Sequence, residues 1–176
     1  MKKMILKKNY GILFWITGLS GSGKTGVSKK IVNTIRKDYG KTIVLSGDEI
    51  RNIFDLKGYS YEERLKTVLG YCKLARKITS QNINVIFAVI GMMDEVRNYN
   101  KKYQKNYVEI YIKSDVNKIY KANMKKLYHR NVKKIVGVDI IPEFPKNPNI
   151  TVENDFKSDL NQLSLKILKQ LSNLKE

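Results

Sequence analysis

Cysteine is all but absent. Cys72 is the only one in the 176-residue chain, which excludes an intrachain disulfide and a cysteine metal cluster. Its surroundings, YCKLA, read as a helix face, so a packed thiol is expected. Histidine is as scarce: His129 stands alone in the basic stretch KKLYHRNVKK, where a solvated ring is the expectation. Only 11 Gly and 3 Pro occur and apolar runs recur, which excludes low-complexity disorder. No apolar run reaches the ~18 residues that a membrane helix needs. The opening MKKMILKKNYG holds too short an apolar run for a signal peptide. The expectation is a cytoplasmic protein without membrane contact.

Acidic residues are few: 16 Asp plus Glu face 34 Lys plus Arg, for a net charge of +18. Such a balance attracts anions. Yet 28 of the bases are Lys, only 6 are Arg, and they spread from Lys2 to Lys175. Nucleic-acid sites more often cluster their bases and use Arg forks. The charge therefore argues for a small polyanion such as ATP over a dedicated nucleic-acid surface.

Strand patterns and helical patterns alternate. Strands are expected at 11–17, 42–46, 83–90, 108–112 and 150–152. Helices are expected at 24–37, 48–55, 60–81, 93–103, 116–124 and 156–174. This alternation predicts an α/β fold with a parallel sheet covered on both faces. INVIFAVI, at 83–90, is apolar throughout and reads as a central strand. No repeat or linker divides the chain, so residues 1–176 are taken as one domain. Residues 125–148 lose the pattern and carry Pro142, Pro145 and Pro148. A connection that long in a small domain is expected to be a functional lid.

Gly18-Leu19-Ser20-Gly21-Ser22-Gly23-Lys24-Thr25 fits the phosphate-binding pattern G-x-x-x-x-G-K-[ST] between a strand and a helix. The glycines let consecutive N–H groups turn inward on phosphate oxygens, and the helix N-terminus favours an anion. Lys24 adds a point charge on the β- and γ-phosphates, and the Thr25 hydroxyl suits Mg²⁺. The pattern makes this a P-loop NTPase. No guanine-reading Asn-Lys-x-Asp follows, since Asn117-Lys118 runs into Ile119-Tyr120, and no strand ends in a clear Walker-B acid. The size then points to a small-molecule kinase.

The second expected strand ends in LSGDEIR. Ligands bind at the carboxyl ends of strands in open α/β sheets, which sets Asp48 beside the P-loop. There it can orient an acceptor hydroxyl, take its proton, or hold Mg²⁺. Arg51 shares that helix face and suits a phosphate or sulfate. Capping is the competing reading, since Ser46 and Asp48 are both good N-cap residues, and the two roles coexist.

WITGLSGSGKT, LSGDEIR, GYSYEER, KKLY, VGVD and EFPKNPNITVEND, in that order, resemble the adenylylsulfate kinase family across nearly the whole chain. The resemblance implies a P-loop kinase with a five-stranded parallel sheet. It implies transfer of the γ-phosphate of Mg·ATP to the ribose 3′-hydroxyl of an activated nucleotide, usually by a homodimer. It makes Gly18, Ser20, Gly21, Ser22, Gly23, Lys24 and Thr25 the ATP cradle, Lys24 and Asp48 the catalytic pair, and Thr25 and Asp48 the metal side. Arg51 and Arg64 become ligands of the acceptor, Tyr59 stacks on its base, and Lys125, Leu127 and Tyr128 match part of the lid.

The departures fall at the acceptor end. Thr67 stands where the family commonly has an acceptor-contacting Asn. Ile135 replaces the phenylalanine that completes its base sandwich, and Gly91 replaces its serine. Stacking is worth about 1–3 kcal/mol per base, so losing one wall shifts acceptor preference. In this the sequence resembles a divergent branch of the family, found with capsule-sugar genes, whose acceptor is cytidine diphosphoramidate; adenylyl sulfate is the alternative acceptor. Three rival classes stand beside it: a nucleic-acid-binding or polynucleotide kinase, a nucleotide binder without transferase activity, and a kinase of sugars or other hydroxyl compounds on the same fold.

Overall fold

The computed structural model describes residues 5–122 and 135–174. In chain order the elements are β1 (Leu13–Thr17), α1 (Lys24–Tyr39), β2 (Thr42–Ser46), α2 (Gly47–Ile53), α3 (Tyr61–Thr79), β3 (Asn84–Ala88), α4 (Asp94–Tyr103), β4 (Tyr107–Lys113), α5 (Val116–Lys121), β5 (Ile150–Glu153) and α6 (Leu160–Asn173). The five strands form one sheet in the order β2-β3-β1-β4-β5, parallel at every pairing. β1 and β3 are buried at every position, which is why both read as unbroken apolar runs rather than alternating ones.

Two cores flank the sheet. On one face Phe14, Ile16, Ile86, Ile110, Ile112 and Ile150 pack on Ile31 and Ile35 of α1 and on Leu163, Ile167 and Leu171 of α6. On the other, Leu13, Trp15, Val85 and Phe87 pack on Val68, Tyr71, Cys72 and Ala75 of α3 and on Val96 of α4. Each such side chain removed from water contributes about 1.5–3 kcal/mol. The packed thiol expected at Cys72 is found, and burial pushes its pKa up to about 12, so it stays protonated and inert.

Most differences from the expected boundaries have local causes. Strand pairing starts at Leu13 because Gly11 crosses the end of α3: its N–H donates to the Thr79 carbonyl at 2.8 Å, and a Cβ there would lie 2.0 Å from the Ile83 oxygen. β3 stops at Ala88, short of the expected 90. Val89 still donates to Ile16 at 3.0 Å, but Gly91 turns the chain at φ 48°. α3 starts under a capping box, with Ser60 accepting from the Glu63 N–H at 3.2 Å and Glu63 accepting from the Ser60 N–H at 2.9 Å. α6 starts at Leu160 rather than 156 because Asp159 caps it, accepting from the Gln162 N–H at 2.8 Å. The backbone before it turns at Phe156, whose φ is 65°.

Candidate active site

β1 delivers the chain into the glycine-rich turn at the carboxyl edge of the sheet. At its last residue, the Thr17 hydroxyl donates to the Ile90 carbonyl, joining the loops after β1 and β3. Gly18 leaves no room for a side chain: a Cβ would lie 2.6 Å from the Ile112 oxygen and 2.7 Å from Ser22 Oγ. Gly21 and Gly23 hold φ values of 82° and 99°, a region that favours glycine. Gly23 caps α1 without a side-chain hydrogen bond, and no acidic residue sits in the first turn. That helix N-terminus therefore suits a phosphate. Lys24 is buried, and its ammonium donates to the carbonyls of Gly18 at 2.9 Å and Leu19 at 2.7 Å, inside the curl of the loop. Thr25, next to it, is exposed on the cleft.

A residue that the sequence pattern did not single out secures this loop. Asn154 follows the last residue of β5 and is 6 % exposed. Its Nδ2 donates to the Ser22 carbonyl at 3.0 Å, and its Oδ1 accepts from the Phe156 N–H at 3.1 Å. The signal was available: an Asn directly after a strand, at the sheet edge where the other loops converge.

The cleft beside the loop holds about 250 Å³. Ser20, Gly21, Gly23, Lys24 and Thr25 line it on one side, and Asp48, Arg51 and Arg64 on the other, so eight expected site residues come together. Gly18 and Ser22 are buried and shape the loop from beneath. The sheet order explains the division. β1 carries the phosphate loop, and β3 and β2 lie to one side of it, so α2 and α3 furnish that half of the cleft. Asp48 is exposed in the first turn of α2. Ser46 is the N-cap there but makes no side-chain cap, which weakens the capping reading for Ser46.

Arg51 and Arg64 share one aromatic ring. Their guanidinium carbons lie 5.0 and 5.2 Å from the centre of Tyr59. Arg51 also donates to the carbonyls of Leu56 at 3.0 Å and Gly58 at 3.1 Å, and Arg64 Nε donates to the Tyr59 carbonyl at 2.9 Å. Partial burial, and then the like charge of Arg51, lower the pKa of Arg64; the Tyr59 phenol works the other way. An anion between two such cations relieves both penalties.

Not every expected acceptor residue lines the cleft. Tyr59, 50 % exposed, and Thr67 lie outside the lining, to which α3 contributes Tyr61, Arg64, Val68 and Tyr71. Ile135 is also outside it, while Val136, Ile140, Ile141 and Pro142 just beyond it are inside. Lys125, Leu127, Tyr128 and His129 fall outside the described residues. Gly91 does line the cleft, and at φ 48° a Cβ there would lie 2.9 Å from Trp15 Cζ2. This backbone has no place for a serine at 91.

On β4, in register with Trp15 of β1, Glu109 is 1 % exposed. Burial raises the pKa of its carboxyl, and the charges of Arg97 and Lys101 partly oppose that. Arg97, itself buried, pairs with Asp94 in the first turn of α4 and lowers the pKa of that carboxyl.

The family profile described as adenylylsulphate kinase matches residues 10–153. The chain is 34% identical to cytidine diphosphoramidate kinase of Campylobacter jejuni over 170 residues, 94% of this chain and 99% of that protein. It is 25% identical to the adenylyl-sulfate kinase of Pseudomonas aeruginosa over 155 residues, 84% and 79% of the two chains. In fold it superposes on the Mycobacterium tuberculosis APS kinase CysC in complex with AMPPNP and APS with a TM-score of 0.80, covering 93% of this chain and 98% of that one at 19% identity. The chain thus belongs to the adenylylsulphate kinase family and is an ATP-dependent nucleotide kinase that transfers phosphate to a hydroxyl.

Proposed function

We propose that this chain phosphorylates the ribose 3′-hydroxyl of cytidine diphosphoramidate, as a step in modifying a capsule polysaccharide. The observation that carries the reading is the 34% identity to the Campylobacter kinase, which extends over 94% of the chain rather than over the phosphate loop alone. The departures at Thr67, Gly91 and Ile135 support it, because all three lie at the acceptor end of the family pattern.

The γ-phosphate end of ATP sits in the Gly18–Thr25 cradle, with Lys24 countering the charge that develops on the transferred phosphoryl group. Arg51 and Arg64 hold the acceptor's phosphates, and Asp48 orients its hydroxyl. The O3′–Pγ bond forms as the bond from Pγ to ADP breaks, and the hydroxyl proton passes to the Asp48 carboxylate. The donor set fits Mg²⁺. Thr25 and Asp48 carry exposed oxygens lining one cleft and would hold the ion, since Mg²⁺ is commonly bound through one or two such groups while keeping waters. When bound, it would supply neutralisation of phosphate charge. Lys125, Leu127, Tyr128, Ile135 and Thr67 are kept as further acceptor residues on the family resemblance alone. The working form is a cytoplasmic homodimer. No helix among the described residues is long and apolar enough to cross a membrane.

The second reading, adenylyl sulfate as acceptor, is favoured by the family profile and the Pseudomonas relative. Steady-state ADP release with each acceptor decides between them. We expect kcat/KM for cytidine diphosphoramidate to exceed that for adenylyl sulfate by about tenfold or more, the worth of one stacking wall. The reverse preference assigns the protein to sulfate activation.

A further inference from the structure

The family pattern puts the aromatic partner of the acceptor base at position 59, but the geometry puts a different ring in the cleft. Both arginine side chains already engage Tyr59, which is absent from the lining. Two residues on, Tyr61 opens α3 directly after the Ser60 cap and lines the cleft in the half furnished by α2 and α3. Arg64, one helical turn later, lines the same half.

The Tyr61 ring is also held in place. Its hydroxyl donates to Glu143 Oε1 at 3.2 Å. The other Glu143 oxygen accepts from the Asp94 N–H, and the Glu143 N–H donates to the Met92 carbonyl at 3.1 Å. Met93, the N-cap of α4, makes no side-chain cap, so Glu143 supplies one from a distant segment. One carboxylate thus joins the start of α3, the start of α4 and the returning chain that lines the cleft at Pro142. Burial, and then the nearby Glu143 charge, raise the pKa of the Tyr61 phenol.

We infer that Tyr61 is the specificity-determining aromatic wall of the acceptor-base pocket, and that Glu143 is a positioning residue that fixes the ring through its hydroxyl. Tyr59 acts separately, aligning Arg51 and Arg64 for the acceptor's phosphates. A planar ring beside a guanidinium suits the base of a nucleotide whose phosphates the arginines bind. The inference rests on the proposed reading that the acceptor is a nucleotide.

The test measures binding and turnover in the full chain. Calorimetry in the presence of Mg·ADP, with cytidine 5′-diphosphate and adenylyl sulfate as probes, compares wild type with Tyr61→Leu, Tyr61→Phe, Glu143→Gln and Tyr59→Leu. Losing a stacking wall weakens binding of the preferred probe by about tenfold in Tyr61→Leu. Tyr61→Phe keeps the ring and loses only its tether, a few-fold effect, and Glu143→Gln, whose amide oxygen keeps accepting from the Asp94 N–H while its NH2 donates to the Tyr61 oxygen, keeps the ring tethered and stays near wild type. In each variant the KM for ATP and the melting temperature hold. Tyr59→Leu lowers affinity for inorganic pyrophosphate as much as for either nucleotide. Unchanged affinity in Tyr61→Leu overturns the inference, as does an equal rise in the acceptor KM and the ATP KM, which marks a purely structural role. Failure of the acceptor reading shows separately: wild type then binds neither nucleotide over ADP, and the inference goes with it.

Discussion

Asn154 offers a quantitative test of how the phosphate loop is held. Asn154→Ala removes the bond to the Ser22 carbonyl and the bond from the Phe156 N–H, at 3.0 and 3.1 Å. The first lies in the buried interior and the second is partly buried. A typical hydrogen bond contributes about 1 kcal/mol net, and a buried group left without a partner costs about 1–3 kcal/mol. The two together give a loss of about 2–3 kcal/mol. In a domain of this size each kcal/mol lowers the melting temperature by about 2–4 °C, so the variant melts about 4–12 °C lower. The loop it frees is the proposed ATP cradle, so the Kd for ATP is expected to rise a few-fold as preorganisation is lost. Asn154→Asp is the sharper variant. It keeps the acceptor for Phe156 but turns a carboxylate oxygen toward the Ser22 carbonyl, and it destabilises at least as much. Urea unfolding and calorimetric ATP titration provide both readouts. A loss of under ~0.5 kcal/mol with unchanged ATP affinity would refute the claim that the end of β5 braces the loop.

Three further outcomes are expected. Asp48→Asn lowers kcat by about 100-fold or more with little change in melting temperature, because the carboxylate is exposed and, in the proposed mechanism, acts on the acceptor hydroxyl; a kcat within a few-fold of wild type removes Asp48 from the mechanism. Gly91→Ser, which restores the family's serine, destabilises by about 1–3 kcal/mol and gains no activity, since φ is 48° and Trp15 Cζ2 lies 2.9 Å from the new Cβ; a stable and faster variant contradicts this backbone. Glu109→Gln changes the pH dependence of stability. The folded-state pKa of Glu109 is raised above its unfolded value, so the folded state binds the proton more tightly, and wild-type stability falls relative to Glu109→Gln as pH climbs from about 4.5 through the raised value. Urea midpoints for the two proteins that stay parallel from about pH 4 to 8 contradict a buried, proton-hungry Glu109.

The phosphate loop was legible in the sequence because its chemistry needs neighbouring residues: glycines for the turn, then Lys24 and Thr25 on the first helical turn. The parallel sheet was legible because strands buried on both faces read as continuous apolar runs. Asp48 and Arg51 could be placed because a strand end points to the binding edge. What escaped depends on residues far apart in the chain. Asn154 acts on a loop more than a hundred residues earlier, with a separation of 132. Tyr61 and Tyr59 differ by two positions in one motif, and only the folded chain shows that the arginines occupy one ring and leave the other in the cleft. Boundaries moved where local caps overrode the apolar pattern, as at Asp159, where helix α6 starts four residues later than its periodicity suggests.

The most direct test of the account is to identify the product. Purified protein with Mg·ATP and cytidine diphosphoramidate is followed by phosphorus NMR and mass spectrometry. The account predicts one new phosphomonoester at the ribose 3′ position, formed mole for mole with ADP and faster than any product from adenylyl sulfate. ADP formed without a phosphorylated cytidine nucleotide, or a faster reaction with adenylyl sulfate, would contradict it.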